Sequence, residues 1–206
     1  MTEKDTFKTI LKPTEEVLFK DKNSKFFGYA FPINSEEEAK EILSTIKTNH
    51  HKARHWCFAY QIGTETFTYR MNDDGEPGNS AGMPIYGQIQ SFELTNILVV
   101  IVRYFGGVKL GVSGLINAYK TSAQLALEAS KIVEKTIDIQ YLISFEYENM
   151  NTVMRKIKEL NLYIVSQKLE LDCQIIISVR KSESKKVKKV FENLFKVKIK
   201  KYNLSF

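Results

Sequence analysis

Asp73, Asp74 and Glu76 place three carboxylates within four residues, on a segment (72–82) that also holds Gly75, Pro77, Gly78 and Gly82. Carboxylates this close on a glycine-loosened turn can hold Mg²⁺ or act as general acid and base. They can equally fold back onto backbone N–H groups of the turn, which Asp does readily. His55, beside Arg54, adds an imidazole, a side-chain type suited to acid–base work. Asp73, Asp74, Glu76 and His55 are therefore the catalytic candidates.

A second glycine-rich segment reads GGVKLGVSG over residues 106–114. Lying between a strand end and a helix start, it offers backbone N–H groups and a positive dipole end to an anion. The competing reading is that its glycines allow a helix to pack closely on a strand. Neither GxxxxGK[ST] nor GxGxxG is present, so the usual devices for nucleotide hydrolysis or dinucleotide binding are unsupported. Five arginines occur in the chain, and Arg54, Arg70 and Arg103 sit at or just before these segments. Their planar forks suit a ligand clamp, or a pairing with the three carboxylates that fixes the loop. The anion-binding candidates are Arg54, Arg103, Gly106, Gly107, Lys109, Gly111, Ser113 and Gly114. His50, His51 and His55 lie outside any HExxH pattern, and Cys57 and Cys173 stand far apart, so no metal centre and no disulfide are expected. No cofactor is implied; Mg²⁺ belongs only to the enzymatic reading.

The elements that must hold these segments follow from periodicity. Residues 7–11, 15–20 and 25–33 read as strands, the last two joined by a turn at residues 21–24. Ser35 with Glu38 forms a capping box for a helix ending near Asn49, with Ala39, Ile42, Leu43 and Ile46 as its apolar stripe. Residues 55–62 and 66–71 read as a hairpin, and Pro84 suits the first turn of a short helix reaching Phe92. The continuous run from Ile97 to Val102 predicts a strand buried on both faces. A helix over 115–135 follows. Beyond a boundary near Thr136, Ile137, Ile139, Tyr141, Ile143, Phe145 and Tyr147 alternate with mostly polar residues, as in a half-buried strand. A helix from Asn151, strands at 163–171 and 174–180, a helix after Ser182 and a strand over 197–206 complete a βαββαβ order. The class is α+β in two domains, residues 1–136 and 137–206.

With 206 residues, 43% hydrophobic and 26% charged, the chain is neither disordered nor a disulfide-stapled miniature. Its longest apolar run is far below the ~20 residues that span a bilayer, and its first residues lack a signal peptide's apolar stretch, so no membrane role and a cytoplasmic location are expected. The net charge of +6 lies wholly beyond residue 136, where 14 Lys+Arg face 8 Asp+Glu. Lys181, Lys185, Lys186, Lys188, Lys189, Lys198, Lys200 and Lys201 form a candidate nucleic-acid surface. A lysine bias of 25 to 5 over arginine also fits plain genomic base composition.

Three separated motifs, ARHWCFAY at 53–60, DDGEPGNSAGMP at 73–84 and VVIVRYFGGVKLGVSGLINAY at 99–119, closely resemble the YigZ/IMPACT family. The resemblance implies a first domain folded like the second domain of a small-subunit ribosomal protein. It also implies a ferredoxin-like second domain similar to the last domain of elongation factor G. The matching motif positions include Arg54, His55, Asp73, Asp74, Glu76, Arg103, Gly106, Gly107, Gly111, Gly114 and Tyr119; Ser113 departs from the glycine of many relatives. Eukaryotic members restrain a starvation-responsive kinase but carry an additional N-terminal domain that this sequence is not expected to have, so kinase inhibition is not carried over. For bacterial-type members the likeness implies RNA or ribosome binding. The first expectation is therefore a translation-linked RNA- or ribosome-associated protein. The alternatives are an enzyme acting on a phosphorylated or anionic substrate and a protein–protein regulator.

Overall fold

The computed structural model describes residues 5–202, which divide into two compact units. Residues 7–135 form the first; 136–202 form the second, joined by Asp5 and Thr6. Asp5 goes with the second unit because its carboxylate pairs with Arg180 at 2.7 Å and its carbonyl accepts from the Ile137 N–H at 2.7 Å.

In the first unit, β2 (Val17–Asp21), β3 (Ser24–Pro32), β6 (Ile97–Tyr104), β4 (His55–Ile62) and β5 (Thr68–Asn72) make one antiparallel sheet in that order. Lys22 and Asn23 both have positive φ, the backbone that a two-residue hairpin turn between β2 and β3 requires. β6 lies at the centre, and the apolar run that predicted double burial is buried from Ile97 to Arg103. Each face of the sheet has its own core. Ile97, Val99 and Ile101 pack with α2 (Gly82–Ser91) and α3 (Gly111–Glu128), whereas Leu98, Val100 and Val102 pack with α1 (Glu36–Asn49). Ser35 caps α1 through the Glu38 N–H, while the Glu38 carboxylate reaches back one residue further than a capping box requires, to the Asn34 N–H.

Two elements depart from expectation. The third helix begins at Gly111, inside the second glycine segment, and ends at Glu128. Residues 132–136, expected as its last turns, form β7 (Ile132–Thr136), which pairs with β1 (Thr6–Ile10) in a separate two-stranded sheet. β-Branched Ile132, Val133 and Thr136 favour a strand wherever a partner exists, and the partner lies at the far end of the unit.

His50 ends α1 between two phenols. Tyr29 donates to the Glu16 carboxylate, so its oxygen accepts from His50 Nε2 at 2.6 Å; His50 Nδ1, left without a proton, accepts from Tyr104 at 3.0 Å. Burial lowers the ring's pKa below its ordinary 6.5, opposed in part by Glu16. The folded state thus favours the neutral ring and the unfolded chain takes the proton first. Stability from this site is complete above pH 6.5 and is lost as pH falls through the lowered folded value. Urea melts followed by Trp56, the single tryptophan, should show wild type losing more stability from pH 7.5 to 5 than His50→Gln; equal losses would refute the assignment.

The second unit has the βαββαβ order: β8 (Asp138–Glu146), α4 (Met150–Glu159), β9 (Tyr163–Lys168), β10 (Asp172–Arg180), α5 (Ser184–Glu192) and β11 (Val197–Lys201). Its strands lie β11-β8-β10-β9, all antiparallel, the split βαβ arrangement. Tyr141, Ile143, Phe145, Ile175 and Ile177 face Val153 and Ile157 of α4 and Val187 and Phe191 of α5. The expected strand beyond Lys201 reaches residues 203–206, which lie outside the described residues. No described helix is long and apolar enough to cross a membrane.

Candidate functional site

β4 and β6 run side by side with His55 opposite Arg103, so the two glycine segments leave the sheet at the same end. They meet around Glu76.

Asp73 turns back onto its own loop. Its carboxylate accepts from the N–H groups of Asn79 at 2.9 Å, Ala81 at 2.9 Å and Gly82 at 2.8 Å. Ala81 at the start of α2 has no capping side chain, and Asp73 does that work from nine residues before Gly82. The Asp74 carboxylate accepts from the Trp56 N–H at 2.8 Å and lies 3.8 Å from Lys47 Nζ. The positive φ of Asp74, Gly75 and Asn79 bends the segment so that Glu76 points inward.

Glu76, with its side chain 4% exposed, accepts from Arg103 Nη1 at 2.6 Å and from the Tyr119 hydroxyl at 2.8 Å. Arg103, 6% exposed, sits between the rings of Phe26 and Phe105, each 5.5 Å from its guanidinium carbon. Its Nη2 approaches Ser24 Oγ at 3.5 Å, and that oxygen also accepts from the Gly106 N–H at 3.2 Å. Its Nε is buried without a hydrogen-bond partner among the described residues. Cys57 Sγ lies 3.0 Å from the Asp73 carbonyl and 3.3 Å from the Tyr119 oxygen. Burial pushes the Cys57 thiol far up, and does the same to the Tyr119 hydroxyl, so neither ionises near neutrality.

The three carboxylates therefore diverge: one to backbone, one to Trp56, one to a buried arginine. Among the described residues no group of three or more His, Cys, Asp or Glu could hold a metal ion. Of the catalytic candidates, His55 and Asp74 keep some solvent access, with side chains 21% and 24% exposed. A carbonyl only accepts, so Nδ1 of His55 carries the proton toward the Asp74 oxygen at 2.9 Å, and its Nε2 is 3.9 Å from Glu76.

Of the two readings of the arginines, pairing with a carboxylate that fixes the loop is seen at Arg103, which is committed to Glu76, while Arg54 is exposed. The glycine segment also divides. A Cβ on Gly106 would stand 2.0 Å from the Asn23 backbone carbon, so this glycine serves close packing against the β2–β3 turn. Gly107, Lys109, Gly111 and Ser113 remain exposed about the start of α3, where Leu110 provides no side-chain cap. Ser24 and Lys47 belong to the site without any sequence signal beyond their polarity.

The lysine candidates divide as well. Lys185, Lys186, Lys188 and Lys189 are exposed on α5, whose Val187 and Phe191 are buried. On β11, Val197 and Ile199 face that helix-covered core, which places Lys198 and Lys200 on the opposite face of the sheet. One continuous patch across α5 and these strand lysines is not formed. Lys201 shares the parity of Ile199, and Lys181 is half-buried.

Residues 22–127 match the family model described as the Impact N-terminal domain, a span that holds both glycine segments. An "IMPACT family member" of Haemophilus influenzae is 31% identical over 176 residues, 82% of this chain and 84% of that protein. "IMPACT family member YvyE" of Bacillus subtilis is 35% identical over 136 residues, 66% of this chain and 63% of its own length. A crystal structure described as that of a hypothetical protein has the same fold, with a TM-score of 0.75 at 22% identity over 98% of this chain and all of the other. The matching domain model and the Haemophilus influenzae relative, aligned over 82% of this chain, lead to one conclusion: the chain belongs to the IMPACT family.

Proposed function

We propose that the protein is a cytoplasmic, translation-linked RNA- or ribosome-binding member of its family, which holds phosphate backbone on the outer face of α5. The observation that carries this reading is four exposed lysines within five residues of a nine-residue helix. Val187 and Phe191 fix the helix by its other side, so the cations are displayed by a rigid element. Only Lys188 has an acidic partner within 4 Å among the described residues, Glu192 at 3.5 Å. Lysine-dominated contacts of this kind bind phosphate without reading bases, and their affinity falls steeply with salt. The commitment of Asp73, Asp74 and Glu76 to protein groups supports this reading over the enzymatic one.

The test is binding of the intact protein to purified ribosomes and to structured RNA at 50 and 200 mM salt. Changing Lys185, Lys186, Lys188 and Lys189 to glutamate should reduce affinity at low salt by about a hundredfold or more and flatten the salt dependence. Wild-type affinity in that variant would sink the proposal.

A further inference from the structure

The sheet of the first unit is wider than the single helix on one of its faces. α1 packs over Leu98, Val100, Phe58 and Tyr60, and the edge strand β5 is left beside it. Between them runs an open trough of about 580 Å³. From α1 come Lys40, Ser44, Lys47 and Thr48, spaced i, i+4, i+7 and i+8 along one flank; from β5 come Arg70 and Asn72, two residues apart and hence on one face. Three cations line it and no carboxylate does, in a stretch of chain whose overall charge is balanced. Lys40 and Lys47 each have one acidic neighbour, Glu37 and Asp74, at 3.8 Å; the lysines are 66% and 50% exposed, so solvent screening leaves these pairs weak.

We infer that this trough is a second RNA contact, taking the phosphate backbone of a single strand. Two turns of helix set Lys40 and Lys47 about 10 Å apart, too far to share one phosphate and suited to holding separate phosphates of one strand, with Arg70 across from them. The floor offers no stacking surface, because Phe58 is 8% exposed, so the contact is indifferent to base identity. The inference rests on the RNA-binding reading above but concerns different residues in a different unit.

Anisotropy of a fluorescein-labelled 20-nucleotide oligouridine with the intact protein, from 50 to 200 mM KCl, tests it. Lys40→Gln/Lys47→Gln/Arg70→Gln should make the slope of log K against log salt shallower by about 2, as loss of three single-strand phosphate contacts requires. Lys40→Gln/Arg70→Gln, which leaves the Lys47–Asp74 pair in place, should give about two thirds of that change, and Trp56 melts verify that both variants fold. An unchanged slope in the two variants overturns the trough and leaves the α5 reading standing. A loss in these variants with none in the α5 glutamate variant supports the trough and removes the α5 contact. Complete competition by millimolar inorganic phosphate would mean a single-anion pocket and overturn the strand contact, and absence of RNA binding by wild type at every salt overturns both.

Discussion

Arg103→Ala is expected to lower the stability of the first unit by about 3–5 kcal/mol, the usual cost of removing one partner from a buried ion pair. The magnitude follows from burial at both ends: Glu76 and Arg103 are 4% and 6% exposed. With the guanidinium gone, Glu76 keeps a single hydroxyl donor, Tyr119, with His55 Nε2 3.9 Å away. The loss is more than local, because Glu76 is where the loop after β5, the end of β6 and α3 meet. Glu76→Leu with Arg103→Met should recover much of the stability, since well-packed apolar replacements of such pairs are often neutral or better. Trp56 lies in the first unit, so its fluorescence in urea isolates this transition from that of the second unit. A cost below about 1 kcal/mol for Arg103→Ala, the range of exposed pairs, would show that water reaches the pair.

Gly106→Ala should cost about 3 kcal/mol or more, at or beyond the upper end of ordinary overpacking. Its Cβ would fall 2.0, 2.2 and 2.3 Å from the Asn23 carbon, the Asn23 oxygen and the Ser24 nitrogen, all backbone atoms of a two-residue turn that cannot retreat by rotating a side chain. Gly107→Ala is the control. That glycine has φ +88° and nothing within 4 Å, so alanine there meets only backbone strain, about 1–2 kcal/mol. Gly106 itself has no positive φ, so equal costs at the two positions would mean that the β2–β3 turn yields to the added methyl group and that close approach is not what Gly106 supplies.

The parts of the fold legible in the sequence were those set by local periodicity. Ser35 and Glu38 marked the start of α1, the six apolar residues after Asn96 marked a strand covered on both faces, and alternation marked β8. β7 was hidden because its strand character depends on β1, more than a hundred residues earlier, while the segment before it is strongly helical. In the candidate site, residue types were legible and partners were not. Three carboxylates and three arginines allow many pairings, and only the turn at Asp74 and Gly75 decides that Glu76 goes inward to Arg103. The separation of Lys198 and Lys200 from α5 was available in principle, since Val197 and Ile199 already imply a period of two. The trough was not, because nothing in Lys40, Lys47 or Arg70 reveals how far the sheet extends past the helix.

The β1–β7 ribbon sets a constraint in time as well as in space. A ribosome emits the chain from its N-terminus, so residues 6–10 must wait, unpaired along one edge, until residues 132–136 emerge. Joining ends so distant in sequence raises the contact order, and such pairings form late. The five-stranded sheet, closed by β6 at Tyr104, needs no such delay. During synthesis the first unit should therefore pass through a state in which the sheet and its helices are assembled and the ribbon is still open, with protease-sensitive bonds confined to its two future strands.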